Sequence, residues 1–304
     1  ICEEIKMYFD QPSHHVFDIL AKAMWPHHPL GRPIAGYGDR VKSFKREDLI
    51  RFKDMYYQPA NMSVVVSGRV GTRSKRIAYL KKAFSRRSTR FDFACEPVKK
   101  SHKASSTKLF YKDTQQTHLA LGFHGIARKS SLRYALLLLH IILGGNMSSR
   151  LFERLREKKA LCYDISSSVK RYRETSIFVI HSGVDNANCL EAIREIVHEL
   201  GDVKKSLVTS DELMRAKEYA KGQMLLALED TASRMIWLGE RIMQEGKAPS
   251  VEEILSGIEK VTLQDIRRVA NAVFDEKNLN FATVGPVTKN FKTKLRKIFT
   301  QLHK

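Results

Sequence analysis

Two stretches of this 304-residue chain repeat one another at a constant spacing. Asp48-Leu49, Asn61-Met62 and Gly68 recur as Asp265-Ile266, Asn278-Leu279 and Gly285, each 217 residues further on (265 − 48 = 217). Beyond the glycines the offset slips to 215, where Leu80-Lys-Lys-Ala-Phe84-Ser85 matches Leu295-Arg-Lys-Ile-Phe299-Thr300. A repeat of this length is a duplicated domain, because solenoid units run only about 20–50 residues. The second copy has roughly 110 residues ahead of its matching segment that the first copy lacks. The chain is therefore expected to be truncated at its start, and Ile1 in place of Met agrees. The expected division is the C-terminal half of a first lobe plus linker over 1–100, and a second lobe over 101–304.

Hydrophobic residues make up 43% of the chain, enough for real cores. The cysteines, at 2, 95, 162 and 189, form no C-x-x-C, which excludes zinc-finger and dithiol redox patterns. They read as reduced, partly buried thiols of a cytoplasmic protein. The longest apolar run, Ala135 to Leu143, is interrupted by His140 and is far shorter than the roughly 20 residues of a membrane span. Net charge is +20, and Arg69 to Lys103 holds twelve Lys/Arg against Asp92 and Glu96. Few aromatics interleave with that charge and no nucleic-acid module accompanies it, so it reads as a solvated helix face followed by a linker. Neither nucleic acid nor membrane is expected as a partner.

Periodicity places the elements. Ile1, Ile5 and Phe9 make one stripe of a helix over 1–9. Pro12-Ser13 opens a second helix that buries Val16, Leu20 and Trp25. Residues 25–36 are a loop, 45–57 a helix, Met62–Ser67 a β-branched strand ending at Gly68, 72–86 a basic helix and 87–105 the linker. The second copy reads as strands near 107–111, 116–124, 162–170, 174–183 and 279–284. Its helices fall near 130–143, 148–158, 187–203, 210–228, 231–245, 251–258 and 262–274, with one more at the end. Hairpins followed by runs of helices predict an α+β fold of two similar lobes, each an antiparallel sheet covered on one face by helices, the first incomplete. Trp25 and Trp237 read as packing residues, and His140 as a satisfied histidine in a core helix.

Several phrases run in a recognisable order. They are Ile-Cys-Glu-Glu-Ile-Lys-Met-Tyr8, Asp10-x-Pro12, His28-Pro-Leu-Gly-Arg-Pro-Ile-x-Gly36, Tyr57-x-Pro-x-Asn-Met62 and the valine-rich run closing on Gly68. A second long signature is Gly144-Gly-Asn-Met-Ser-Ser-Arg-Leu-Phe-Glu-Arg-Leu-Arg-Glu-Lys-Lys-Ala-Leu-Cys-Tyr163. Together they resemble the pitrilysin/insulinase-type zinc metallopeptidases, nearest the branch of mitochondrial processing peptidases and their bacterial relatives. That resemblance implies zinc held by an inverted H-x-x-E-H helix, whose glutamate activates the metal-bound water. It implies a third ligand from a distant glutamate, which falls on Glu4. It also implies that Arg156 and Tyr163, seven apart, donate hydrogen bonds to a peptide carbonyl and its developing oxyanion. Ala160 stands where such proteins commonly have glycine.

The sequence departs from the pattern at one place. It holds no H-x-x-E-H, and His14-His15 and His27-His28 are adjacent pairs that cannot aim both rings at one metal. His14 and His15 read as surface residues and His28 as structural. The motif is expected upstream of Glu4, and the chain alone is expected not to hydrolyse peptides. The implied substrate is a short or unfolded extended peptide, and the implied assembly a homodimer or a heterodimer with a related subunit. The alternative is a non-catalytic homologue that binds peptides or stabilises a catalytic partner.

Overall fold

The computed structural model describes residues 1–85, 95–99 and 105–303. Most of the expected linker and part of the basic 69–103 segment lie outside the described residues. The helices are α1 (Cys2–Asp10), α2 (Pro12–Met24), α3 (Gly38–Ser43), α4 (Arg46–Tyr56), α5 (Arg73–Ala83), α6 (Arg133–Gly144), α7 (Cys189–Lys205), α8 (Ser210–Glu229), α9 (Thr231–Glu245), α10 (Val251–Glu259), α11 (Leu263–Val273) and α12 (Lys289–Phe299). A π-helical turn spans Phe152–Lys158. The strands are β1 (Thr107–Tyr111), β2 (Gln116–His124), β3 (Cys162–Arg171), β4 (Ser176–Asp185) and β5 (Leu279–Gly285). Among the described residues no helix is long and apolar enough to cross a membrane.

The chain forms two compact units. The larger contains Ile1–Gly38, Glu96–Ala220 and Gly257–Lys304, and the smaller contains Asp39–Cys95 and Lys221–Ser256. Compaction thus does not follow the boundary read near residue 100, because the first 38 residues belong with the large sheet.

That sheet has the order β1-β5-β2-β4-β3. Its pairs are antiparallel except β1 with β5, which is parallel and corrects the all-antiparallel expectation. The reason is topological. A short turn reverses the chain between β1 and β2, and β5 returns from the helical region to lie between them. Pairing antiparallel with β2 makes β5 parallel to β1.

Both sheet faces are covered, not one. On one face Phe274, just after α11, sets its ring 5.1 Å from those of Phe123 and Phe178, and Phe281 lies 5.6 Å from Phe299 of α12. On the other, Val16, Leu20, Met24 and Trp25 pack on Ala120, Ile177, Val179, Ala282 and Val284. Alternation along the strands generates both faces. Pro12 sits in the first turn of α2, where its missing N–H costs nothing. Trp25 is buried as expected, whereas Trp237 in the smaller unit is only half-buried.

The helix read over 1–9 is present as α1, with no buried residue. One other expectation fails in the first 70 residues. Met62–Ser67 pairs with no strand among the described residues. A β-branched run becomes a strand only when neighbours accept its backbone groups; β5, its repeat partner, has β1 and β2 on either side.

Candidate functional site

Residues 144–163 hold three uncommon backbone features in succession. The run begins where α6 meets β3. A Cβ on Gly144 would lie 2.7 Å from the Ser167 nitrogen, so only glycine permits this approach. His140 bridges the same junction, its Nδ1 2.7 Å from Ser167 Oγ. It is satisfied as expected, and burial, with the Arg171 charge, lowers its pKa to about 4. Asn146 then closes a turn, its carbonyl accepting from Ser149 Oγ at 2.6 Å and its Oδ1 from the Ser148 N–H at 2.9 Å.

The first uncommon feature is the π-helical turn, which the sequence reads as an ordinary helix. The Lys159 N–H donates to Arg154 O, five residues back, at 3.2 Å. Leu151 and Leu155 are fully buried beneath it. Arg156, on the outer side, is 45% exposed; its guanidinium lies over the Phe152 ring at 4.8 Å, and its Nε is 4.0 Å from Glu157. The second feature is Ala160, with φ +48 the one described non-glycine residue in left-handed geometry. This is the position where glycine would be unstrained. The Leu161 N–H donates to Leu155 O at 2.8 Å and fastens the turn.

The third feature is a bulge at the head of β3. Cys162 pairs with Val184 and Asp164 with Gly183, leaving Tyr163 as the extra residue. A bulge re-aims the residue it inserts. Cys162 is buried while Tyr163 is 81% exposed. Burial pushes the Cys162 thiol up; a hydrogen bond with Ser182 opposes that shift, Asp164 adds to it and the Arg156 charge opposes it least.

Glu4 is exposed in the first turn of α1, where the helix dipole favours its charge. Neighbouring Glu3 accepts from Lys6 at 2.8 Å. No hydrogen bond, ion pair or ring contact among the described residues joins Glu4 to Arg156 or Tyr163. One group of metal-ligating types clusters among the described residues: His198, Glu199 and Asp202 on α7. His198 already pairs with Asp202 at 3.0 Å, and Glu199 accepts from Arg154 at 2.6 Å. His28 is structural: its Nδ1 accepts from the Leu30 N–H at 3.2 Å, and its Nε2 lies 3.1 Å from Glu96 O. His14 is exposed, and His15 is half-buried beside Phe9 and Phe110.

Sequence reasoning missed Arg154. It donates to Glu195 at 2.5 Å and to Glu199 at 2.6 Å, and both carboxylates are nearly buried. Burial alone would raise the Glu195 pKa; hydrogen bonds from Lys159 and Arg154 outweigh it and hold it low. Arg150 makes a two-pronged bond to Glu212 at 2.6 and 2.9 Å. The signal was present: Glu195 and Glu199 interrupt the buried side of α7 four residues apart, and buried acids require cations.

A family model described as the peptidase M16 inactive domain matches residues 43–219. An uncharacterized zinc protease of Bacillus subtilis, YmxG, is 34% identical over 91% of this chain and 66% of its own length. An uncharacterized zinc protease of Streptomyces coelicolor is 31% identical over 94% of this chain and 63% of its own length. The chain therefore spans a little under two thirds of these relatives. The fold matches a protease from Helicobacter pylori with a TM-score of 0.81 at 24% identity, over 93% of this chain and 70% of that one. It also matches a chain of complex III2 from Candida albicans with a TM-score of 0.79 at 14% identity, over 99% of this chain and 72% of that one. By the extent of the family match and the identity to its relatives, this chain belongs to the M16 peptidase family.

Proposed function

We propose that this chain is the substrate-facing part of a zinc-dependent endopeptidase, of the processing-peptidase-like kind, acting on short or unfolded extended peptides in the cytoplasm. Arg156 and Tyr163 are its donors to the substrate. The observation that carries this reading is that Arg156 and Tyr163, seven residues apart, are both exposed beside a buried base, one on a π-helical turn over Leu155 and the other at a β-bulge next to Cys162. A guanidinium and a phenol offer the N–H and O–H groups that a peptide carbonyl and its oxyanion require.

Glu4 is the proposed third zinc ligand, belonging by descent to a first lobe over 1–100, with the donors on a second lobe over 101–304. Three protein ligands are needed for catalytic zinc. The described residues offer Glu4 alone at that place and no metal-ligand group that includes it, so they do not form a zinc site by themselves. The two histidines and the general base would come from an upstream H-x-x-E-H segment. The 304 residues alone are expected to leave an unstructured fluorogenic peptide uncut at saturating zinc, and the protein with its upstream segment to cut it. Zinc-dependent cleavage by the isolated chain would refute the first statement. Wild-type turnover in Arg156→Ala or Tyr163→Phe would refute the assignment of donors.

A second reading has one observation in its favour: the fold is shared with a chain of complex III2. On that reading the chain is a non-catalytic homologue that binds peptides or steadies a related catalytic subunit. A degraded H-x-x-E-H upstream of Glu4 would decide for it.

A further inference from the structure

We infer that Arg154, through Glu195 and Glu199, is the positioning residue that sets the aim of Arg156 and Tyr163; the inference rests on the proposed role of those two donors. The geometry is that of a clamp. Arg154 lies inside the π-helical turn, two residues before Arg156, and is the acceptor end of the turn's closing bond from Lys159. Its side chain spans two carboxylates one helical turn apart on α7, with Nε on Glu195 at 2.5 Å and Nη1 on Glu199 at 2.6 Å. Lys159 adds a second cation to Glu195 at 2.6 Å, from the other end of the same turn. The turn is thus fastened to one rigid helix at both ends, and Arg156 lies between the two fastenings.

A surface salt bridge would carry little consequence. This one differs because both acids are nearly buried and α7 is packed in the core. Removing Arg154 would strip the nearly buried Glu199 of its cation and leave Glu195 to Lys159 alone, and the turn would move to relieve them. Relaxing toward ordinary α-helical winding would rotate Arg156 by up to about 100°, the angle of one residue. The same motion would loosen Ala160, whose left-handed geometry persists only while its neighbours impose it. Tyr163, three residues later, would lose its bulge.

The test is a double-mutant cycle in the protein that carries its upstream metal segment. Arg154→Lys keeps the charge and cannot reach both carboxylates with a planar fork. We expect kcat for an unstructured peptide to fall about 10–100-fold, as misplacement of donors by an ångström does. KM should stay within about threefold, and Tm should change little. In the 304-residue chain, amide exchange at Lys159 and Leu161 should accelerate. With Arg156→Ala and Tyr163→Phe already present, adding Arg154→Lys should lower kcat less than about twofold, since Arg154 acts only through those two donors. Glu199→Gln, which preserves shape, should repeat the pattern more weakly and stands in should Arg154→Lys fail to fold. Losses that multiply independently would reduce Arg154 to a structural residue and overturn the inference. Arg156→Ala with wild-type kcat would instead overturn the donor assignment on which the inference rests.

Discussion

Residues 46–84 and 263–299 are one design in two settings. α4 corresponds to α11, and the 3-10 turns Pro59–Asn61 and Glu276–Asn278 lie 217 residues apart (276 − 59 = 217). Met62–Gly68 corresponds to β5, and α5 to α12. The settings differ completely. Ile266 is 1% exposed and its counterpart Leu49 62%; Phe274 is 0% exposed and its counterpart Tyr57 65%. A Cβ on Gly285 would meet Thr117 Oγ1 at 2.5 Å, while one on Gly68 would meet nothing within 4 Å. Local helix and turn signals therefore suffice for helices and turns. Strand pairing and burial come only from neighbours, which β5 finds in β1 and β2.

The sharpest way to break this comparison is truncation at matched positions. Phe274→Ala is expected to cost about 3–5 kcal/mol, through lost contact with Phe123 and Phe178 and the cavity left behind. Tyr57→Ala is expected to stay within about 0.5 kcal/mol. Urea midpoints for the two variants check it, and equal losses would mean that the first copy is buried in solution.

Next in size is pH. The larger unit holds His140 and His181, both with pKa lowered to about 4. For His181 the cause is burial first, then the neighbouring His118; Asp164 opposes them and His14 adds to them. The unfolded chain takes up these protons near 6.5 and the folded chain only near 4. Stability is then complete above 6.5 and is lost as pH falls toward 4, by up to about 3 kcal/mol for each histidine. Urea midpoints between pH 7 and 4.5 measure this, and His181→Gln should flatten part of the slope.

The smallest contrast is at the helix caps. Thr262 and Asp265 cap α11 reciprocally, at 3.2 and 3.1 Å. At α4 only the Asp48 half exists, accepting from the Lys45 N–H at 3.0 Å, because lysine has no side-chain acceptor. Thr262→Ala should lower stability by about 1 kcal/mol and Lys45→Ala by almost nothing, read by thermal melting.

Most of the large sheet and its helices were legible because apolar periodicity is strong there: the strand readings at 107–111 and 116–124 match β1 and β2. The parallel β1–β5 pair was not, since strand order depends on where β5 inserts. The run 62–67 carried a strand's composition without a strand's neighbours. Of the proposed site, the sequence named Arg156, Tyr163 and the odd residue Ala160. It could not show the π-helical turn or the bulge. Phe152–Lys158 has ordinary helical composition, and the partners that Arg154 and Lys159 find on α7 are distant in the sequence.

A π-helical turn closes over one residue more than an α-helical turn, as the bond from the Lys159 N–H to Arg154 O does here. Its length is therefore under constraint as well as its letters. Substitutions across 149–160 that keep the buried leucines and the clamp leave the phase of the chain unchanged. Loss or gain of one residue between Leu151 and Arg156 would turn Arg156 by about 100° about the helix axis, away from its present place over Phe152. In a gene coding for such a protein, single-codon indels here would be tolerated less well than missense changes that spare the leucines, the clamp and Arg156.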